Sequence, residues 1–559
     1  MTVNSVTSNG PARAGEALHD GRQQTDKAIP EAWKLDPSLL AGLKLPLETF
    51  KNNLIELDLP RKSDILSQSE LEITESYSVY ELLTGLAKGS LTSLEVTTAF
   101  AKRASIAHQV TNCLTEIFFD QALDRARALD TQREQGKPIG PLHGLPVSLK
   151  ECFQLDGIPA TLGLLAYSGH VSTTNSALVE LLTELGAVFY CKTNIPQTMM
   201  AADSHNYIFG RTLNPWNTSL TAGGSSGGES ALVAFRGSPL GVGTDLAGSV
   251  RIPSLCCGTY GFRPSADRIP YFGQQSCANG GLRTITSCAG PIANSMDALE
   301  VFMKAVVNAT PARLDPFVLD IPWREVRGTI KPKLRFGVIP EDSVFPIHPP
   351  VKNAVNKAVK LLEANGHEIV RLQPEDCLVA KSALVAWALM DLDDTADRVV
   401  AAGGEPPIPA RVRMREEMAK IDWSCIADVG STPGVARLAA LTVKRSEIIN
   451  AWRKLWQHHQ LDAVIGPPAQ NTAVEHDEYG IPPYTQLLNF LDYPACVIPF
   501  GRARSLNPPE KFESKAGQSA PKYNPENLDG APCSIQVFTQ KMRDEECMEI
   551  AKVVDRCLH

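Results

Sequence analysis

Apolar residues recur at helical spacing in several stretches of the chain, and each stretch is followed by a short apolar run. Ala177, Leu178, Leu181, Leu182 and Leu185 form one stripe, and Gly186 just beyond it predicts a left-handed C-cap. The run AVFYCKTN that follows reads as a strand. The same order returns later: LRFGVI from Leu334 as a strand, Val351 to Asn365 as a helix stopped at Gly366, then EIVRL as a strand. Upstream, Thr92-Ser93-Leu94-Glu95 is a capping box that opens a helix, and Ala122, Leu123, Ala126 and Leu129 keep helical spacing in the next. Helices alternating with short apolar strands predict an α/β protein whose sheet carries helices on both faces. No repeat of fixed period is present. Residues 1–29 are polar and lack periodicity, which predicts a mobile tail.

Between about 221 and 261 the pattern breaks. The sequence TAGGSSGGESALVAFRGSPLGVGTDLAGSVRIPSLCCGTYG is dense in Gly and Ser with little periodicity, and predicts a long irregular segment. A linker is polar throughout, whereas Leu232, Val233, Phe235, Leu240, Val242 and Leu246 need burial. This stretch is therefore the candidate functional site.

Composition adds bounds. The 559 residues are 43% hydrophobic and 21% charged, a balance that excludes disorder for the bulk of the chain and allows a large core. With 54 basic and 62 acidic side chains the formal net charge is −8, and no block of five cations occurs, so nucleic acid is not an expected partner. The thirteen cysteines are odd in number and include no C-x-x-C pair, so neither a disulfide framework nor a zinc site is expected. Cys256-Cys257 reads as two small buried residues. No apolar stretch has the form of a signal-peptide core or the length of a bilayer span, and a cytoplasmic location is expected.

Several chemistries compete for the glycine-rich segment. Gly224-Ser225-Ser226-Gly227-Gly228 fits G-x-S-x-G, but an elbow of that kind needs a buried strand before it, and LNPWNTSLTA is turn-like. Its histidine partner would be one of His348, His367, His458, His459 or His476, all in ordinary surroundings. GGSSGG lacks the Gly-Lys-Ser/Thr of a phosphate loop, and GVGTDLAGS lacks the acidic partner of a dinucleotide site. A lysine is the other candidate base. Lys150 ends an apolar run in GPLHGLPVSLKECF, and desolvation there would lower its pKa until the neutral amine can accept a serine proton. On the residues alone, the reading of Lys150 as a strand-end lysine reaching solvent is the favoured one.

GPLHGLPVSLKECF, CKTNIPQTMM, TLNPWNTSLTAGGSSGGESALVA and GVGTDLAGSVRIPS together resemble the amidase signature family, and the likeness runs from about residue 30 to 557. Within it the nearest likeness is to fungal acetamidase-type general amidases, with fatty acid amide hydrolases a little further off. Lys150, Ser225 and Ser249 stand 75 and 24 residues apart, as the family's lysine, middle serine and nucleophilic serine do. The resemblance implies a single catalytic domain over 30–559 built on a central mixed β-sheet covered by helices on both faces. It implies hydrolysis of a carboxamide through an acyl-enzyme on Ser249, with Ser225 relaying protons to neutral Lys150. It further implies a cis peptide at Gly224-Ser225, an oxyanion hole from the N–H groups of Leu246, Ala247, Gly248 and Ser249, Ser226 orienting Lys150, and an Asp245–Arg251 ion pair bracing the loop. Met199 matches a position that lines the substrate carbonyl, and reads equally as a core methionine. A small amide or ester substrate, a homodimer, and no cofactor or metal are the remaining expectations.

The sequence departs from the family pattern at three places. Ala247 replaces a glycine of the oxyanion loop, Ser230 stands where glycine is common, and Phe538 where a small residue is usual. These changes spare Lys150, Ser225 and Ser249 but weigh against a simple acetamide preference. Transfer of the acyl group to an amine or alcohol is the alternative reading, and an amidotransferase subunit a third. Loops 267–290 and 395–435, which carry no motif, are expected to shape specificity.

Overall fold

The computed structural model describes residues 10–430, 433–504 and 510–559. The elements that build the sheet and the site begin with α1 (Gly10–Ala28), α2 (Ser93–Thr111), β1 (Leu114–Ile117) and α3 (Phe119–Glu134). Next come β2 (Pro146–Lys150), α4 (Ala177–Glu184), β3 (Val188–Thr193), α5 (Gly227–Ala234), β4 (Leu240–Asp245), α6 (Arg251–Cys257), β5 (Tyr260–Arg263) and β6 (Cys288–Ala293). The remainder adds β7 (Arg335–Val338), α7 (Pro349–Ala364), β8 (Glu368–Arg371), α8 (Val379–Met390), α9 (Gly434–His459), β9 (Ala463–Gly466), α10 (Pro483–Leu491), β10 (Ala495–Arg502) and β11 (Pro532–Phe538). The predicted capping box is present: Thr92 accepts from the Glu95 N–H, and the Glu95 carboxylate accepts from the Thr92 N–H.

Eleven strands form one sheet in the order β1-β3-β2-β4-β6-β5-β10-β11-β9-β7-β8. The triplets β3-β2-β4 and β9-β7-β8 are parallel and the other pairings antiparallel, so the sheet is mixed. Every residue of β2, β4, β6 and β11 is buried, which requires layers on both faces, and helices supply them. All the cysteines are free, and all are buried except exposed Cys425 and half-buried Cys557. Among the described residues no helix is long and apolar enough to cross a membrane.

Two expectations are corrected. The first is the N-terminal tail: residues 10–28 form α1, while 1–9 lie outside the described residues. Polar contacts anchor α1 with no apolar stripe. Arg22 Nε donates to Phe209 O (3.2 Å) and buried Thr25 Oγ1 to Thr115 O (3.0 Å), so hydrophobic periodicity carries no trace of it. The second is the segment 221–261, which is largely regular, holding α5, β4 and α6. Its glycines are there for close approach. A Cβ at Gly228 in α5 would lie 2.3 Å from the Asn194 nitrogen, so the helix packs directly on the backbone after β3.

Candidate active site

The site is assembled where parallel strands β2 and β4 run side by side. Lys150 closes β2 and is fully buried; its Nζ donates to Ser225 Oγ (2.7 Å) and to Thr244 Oγ1 on β4 (2.6 Å). Desolvation lowers the Lys150 pKa to about 8, against the smaller raising effects of Cys152, Asp245, Glu229 and Glu151. An amine in that range is partly neutral near pH 7 to 8, a state in which it can accept a proton.

Ser225 sits just before α5 and follows a cis Gly224-Ser225 peptide. Ser204 braces this loop, donating from Oγ to Gly223 O (2.9 Å) and accepting from the Gly227 N–H (3.0 Å). The Ser226 N–H donates to Ser249 O (3.1 Å), which ties the two serine loops together. Ser226 was expected to orient Lys150; its hydroxyl instead accepts from the Thr244 N–H (3.3 Å) and donates to Thr244 O (3.4 Å). It therefore reaches the lysine only through Thr244. Thr244 is the residue that sequence reasoning missed: it is the penultimate residue of β4, and no local signal shows that β4 pairs beside the lysine's strand.

Ser249 lies half-buried in the turn between β4 and α6, and its hydroxyl makes no hydrogen bond among the described residues. The turn is set by buried Asp245. Its carboxylate accepts from the Gly248 N–H (2.8 Å), the Val250 N–H (3.2 Å), Arg251 Nε (3.1 Å) and Nη2 (3.0 Å), and Asn489 Nδ2 (2.8 Å). Burial works to raise the Asp245 pKa, but Arg251, helped by Arg263 and Asn489, outweighs it and holds the carboxyl at about 2. From α10, Thr485 Oγ1 donates to Ala247 O (2.8 Å). Gly248 has φ +123°, and a Cβ there would also strike Thr485 Oγ1, so only glycine fits. One correction follows for the oxyanion loop. The Gly248 N–H is spent on Asp245, whereas the N–H groups of Leu246, Ala247 and Ser249 have no protein acceptor among the described residues.

A second buried carboxyl lies nearby. Glu229 on α5 accepts from Ser148 Oγ (2.6 Å) and Thr193 Oγ1 (2.8 Å), and burial pushes its pKa up to about 8.

Met199 is half-buried in the turn Gln197–Met199, where Thr198 (φ +65°) and Met199 (φ +62°) are both left-handed. Both segments without motifs meet this turn, and 395–435, expected to be a loop, is largely helical, with helices Thr395–Gly403 and Pro409–Lys420. Gln197 Nε2 donates to Glu405 Oε2 (2.8 Å) and the Ile408 N–H to Gln197 Oε1 (3.1 Å), while Cys277 Sγ lies 3.8 Å from Thr198 O. The other two departures pack the core. Ser230 Oγ contacts Thr259 Oγ1 (3.3 Å), and fully buried Phe538 is ringed by Trp452, Trp456 and Tyr493. No histidine contacts a serine hydroxyl among the described residues; His348, for one, pairs with Pro521 O (2.9 Å), and burial lowers its pKa to about 4.

Thr244→Val keeps the shape and removes one of two hydrogen bonds to Lys150, each worth about 1.5–3 kcal/mol when a partner is charged. A fall in kcat/KM of about 10- to 100-fold with a shifted pH midpoint is expected, while Thr244→Ser restores both; pH-resolved kinetics of the two variants check this.

The family model described as Amidase matches residues 95–548. An amidase of Gibberella moniliformis (strain M3125 / FGSC 7600) is 36% identical over 541 residues, covering 96% of this chain and 98% of that protein. An acetamidase of Aspergillus oryzae (strain ATCC 42149 / RIB 40) is 36% identical over 560 residues, with the same coverage of each. Among solved structures, a fatty acid amide hydrolase superposes with a TM-score of 0.87 at 29% identity, covering 100% of this chain and 98% of that one.

Proposed function

The chain belongs to the Amidase family, the amidase signature enzymes, and from that premise we propose that it is a serine hydrolase of small linear carboxamides working through Ser249, Ser225 and Lys150. The observation that carries this reading is the buried Lys150–Ser225 hydrogen bond beside a turn in which the Ser249 hydroxyl has no partner among the described residues. Ser249 Oγ attacks the amide carbon as its proton passes to Ser225, whose own proton passes to neutral Lys150. The carbonyl oxygen becomes an oxyanion facing the Leu246, Ala247 and Ser249 N–H groups, donors typically worth about 10²–10³ each in rate. When the tetrahedral adduct collapses, the C–N bond breaks and the proton returns from Lys150 through Ser225 to the leaving nitrogen. Water then attacks the acyl-enzyme by the same relay, releasing the acid and restoring Ser249. Ala247 puts a Cβ into the oxyanion loop where the family pattern has glycine, which supports an acyl preference different from that of relatives with glycine there.

Product analysis tests the reaction class. The purified chain alone, given a primary carboxamide, is expected to release ammonia and acid in equal amounts, with added hydroxylamine diverting only part of the acyl group. Exclusive transfer to an added amine would instead establish an acyltransferase. No ammonia release from any simple amide without a partner protein would favour an amidotransferase subunit.

A further inference from the structure

Away from the serine and lysine machinery, a cavity of about 370 Å³ opens between α9, the end of α10 and the 267–290 loop. Two cations stand on it. Arg445 of α9 donates from Nε to Phe490 O (2.9 Å) and from Nη1 to Thr284 O, with its guanidinium 5.5 Å from the centre of the Phe490 ring. Lys541 stands opposite and is half-exposed. The cavity's own carboxylates are already taken. Asp492 is held by Arg263 (2.7 Å), Lys541 (2.9 Å) and the Ala266 N–H (2.9 Å), and Asp267 by Arg283 (2.8 Å). Among the described residues no carboxylate reaches Arg445, and its Nη2 has no partner. Burial lowers the Arg445 pKa, and the charge of Asp492, which makes no ion pair with it, opposes that only in part. The other walls are apolar, made by Ile449, Leu491 and Tyr493, with Thr286 as a hydroxyl between them.

We propose that this cavity binds an organic monocarboxylate, its carboxylate on Arg445 and Lys541 and its apolar body against Ile449, Leu491 and Tyr493. Arg445 Nη2 and the Lys541 ammonium can each donate to a carboxylate, and the apolar walls favour a ligand with a hydrocarbon body over a bare inorganic ion. The volume lies in the range of small-molecule sites. The site is distinct from Ser249, yet the two share one helix: Leu491 at the end of α10 borders the cavity, and Thr485 and Asn489 further up hold Ala247 and Asp245.

Isothermal titration of the full chain with benzoate tests the proposal, and because it reads binding it is independent of turnover. One benzoate per chain is expected, weakened at least about tenfold by Arg445→Met, several-fold by Lys541→Met, and partly recovered in Arg445→Lys. Arg445 also holds two backbone carbonyls, so Lys541→Met, at a side chain 54% exposed, keeps the test free of folding effects. Absence of binding, binding unchanged in both methionine variants, or inorganic phosphate binding as well as benzoate would overturn it.

Discussion

Ser249→Ala is expected to abolish covalent labelling by a fluorophosphonate probe and to lower amide turnover by a factor on the order of 10⁴–10⁶. The loss is that large because nucleophile, relay and base act as one unit, so removing the attacking oxygen leaves the other two nothing to activate. Stability should hardly change. Among the described residues the Ser249 hydroxyl makes no hydrogen bond, and the bonds that set its turn run through the Asp245 carboxylate and the backbone. Equal thermal unfolding of variant and parent, with the label gone, is the expected pair of results. Labelling retained by Ser249→Ala would remove Ser249 from its role and the acyl-enzyme with it.

Lys150→Met is expected to cost about as much turnover as the loss of a triad member in other serine hydrolases, on the order of 10⁴-fold. The pH dependence of the parent enzyme is the sharper measurement. Lys150 must be neutral to accept a proton, and burial puts its pKa at about 8, so kcat/KM should rise with pH, not fall. Between pH 7 and 9 the neutral fraction goes from about one tenth to about nine tenths, a rise of about tenfold on a substrate whose chemistry is slow. A profile flat from pH 6 to 10 on such a substrate would contradict the assignment of Lys150 as base. A profile that falls above pH 7 would demand an acid in its place.

The helices and strands flanking the site were legible because their signals are local. The stripe from Ala177 to Leu185 stopped at Gly186, the Thr92 capping box, and the strand from Leu334 followed by a helix from Val351 all depend on residues a turn or two apart. Helix α1 was not legible, since long-range hydrogen bonds from Arg22 and Thr25 hold it down and no stripe marks it. The segment 221–261 misled for a related reason. Its glycines look like breakers in a local reading, but at Gly228 they admit the backbone of Asn194 from a neighbouring strand.

The same division runs through the chemistry. The chain alone singled out the candidates: Lys150 at the end of an apolar run, Ser225 among glycines, Ser249 after Asp245, and through their resemblance a reaction class. Residue identity and spacing suffice to nominate a hydroxyl or an amine, whereas the lowered pKa of Lys150 comes from its burial. How these side chains are held follows from tertiary packing. It set Thr244 beside the lysine because β2 and β4 are parallel neighbours, and it took the Gly248 N–H out of the oxyanion loop because Asp245 turns back to accept it. It also brought the Gln197–Met199 turn against the 267–290 loop and the 395–435 segment, and left Arg445 with no carboxylate in contact among the described residues. Each of these depends on atoms far apart in the chain meeting within about 3 Å, and hydrogen-bond geometry at that range is fixed by packing, which no local pattern encodes.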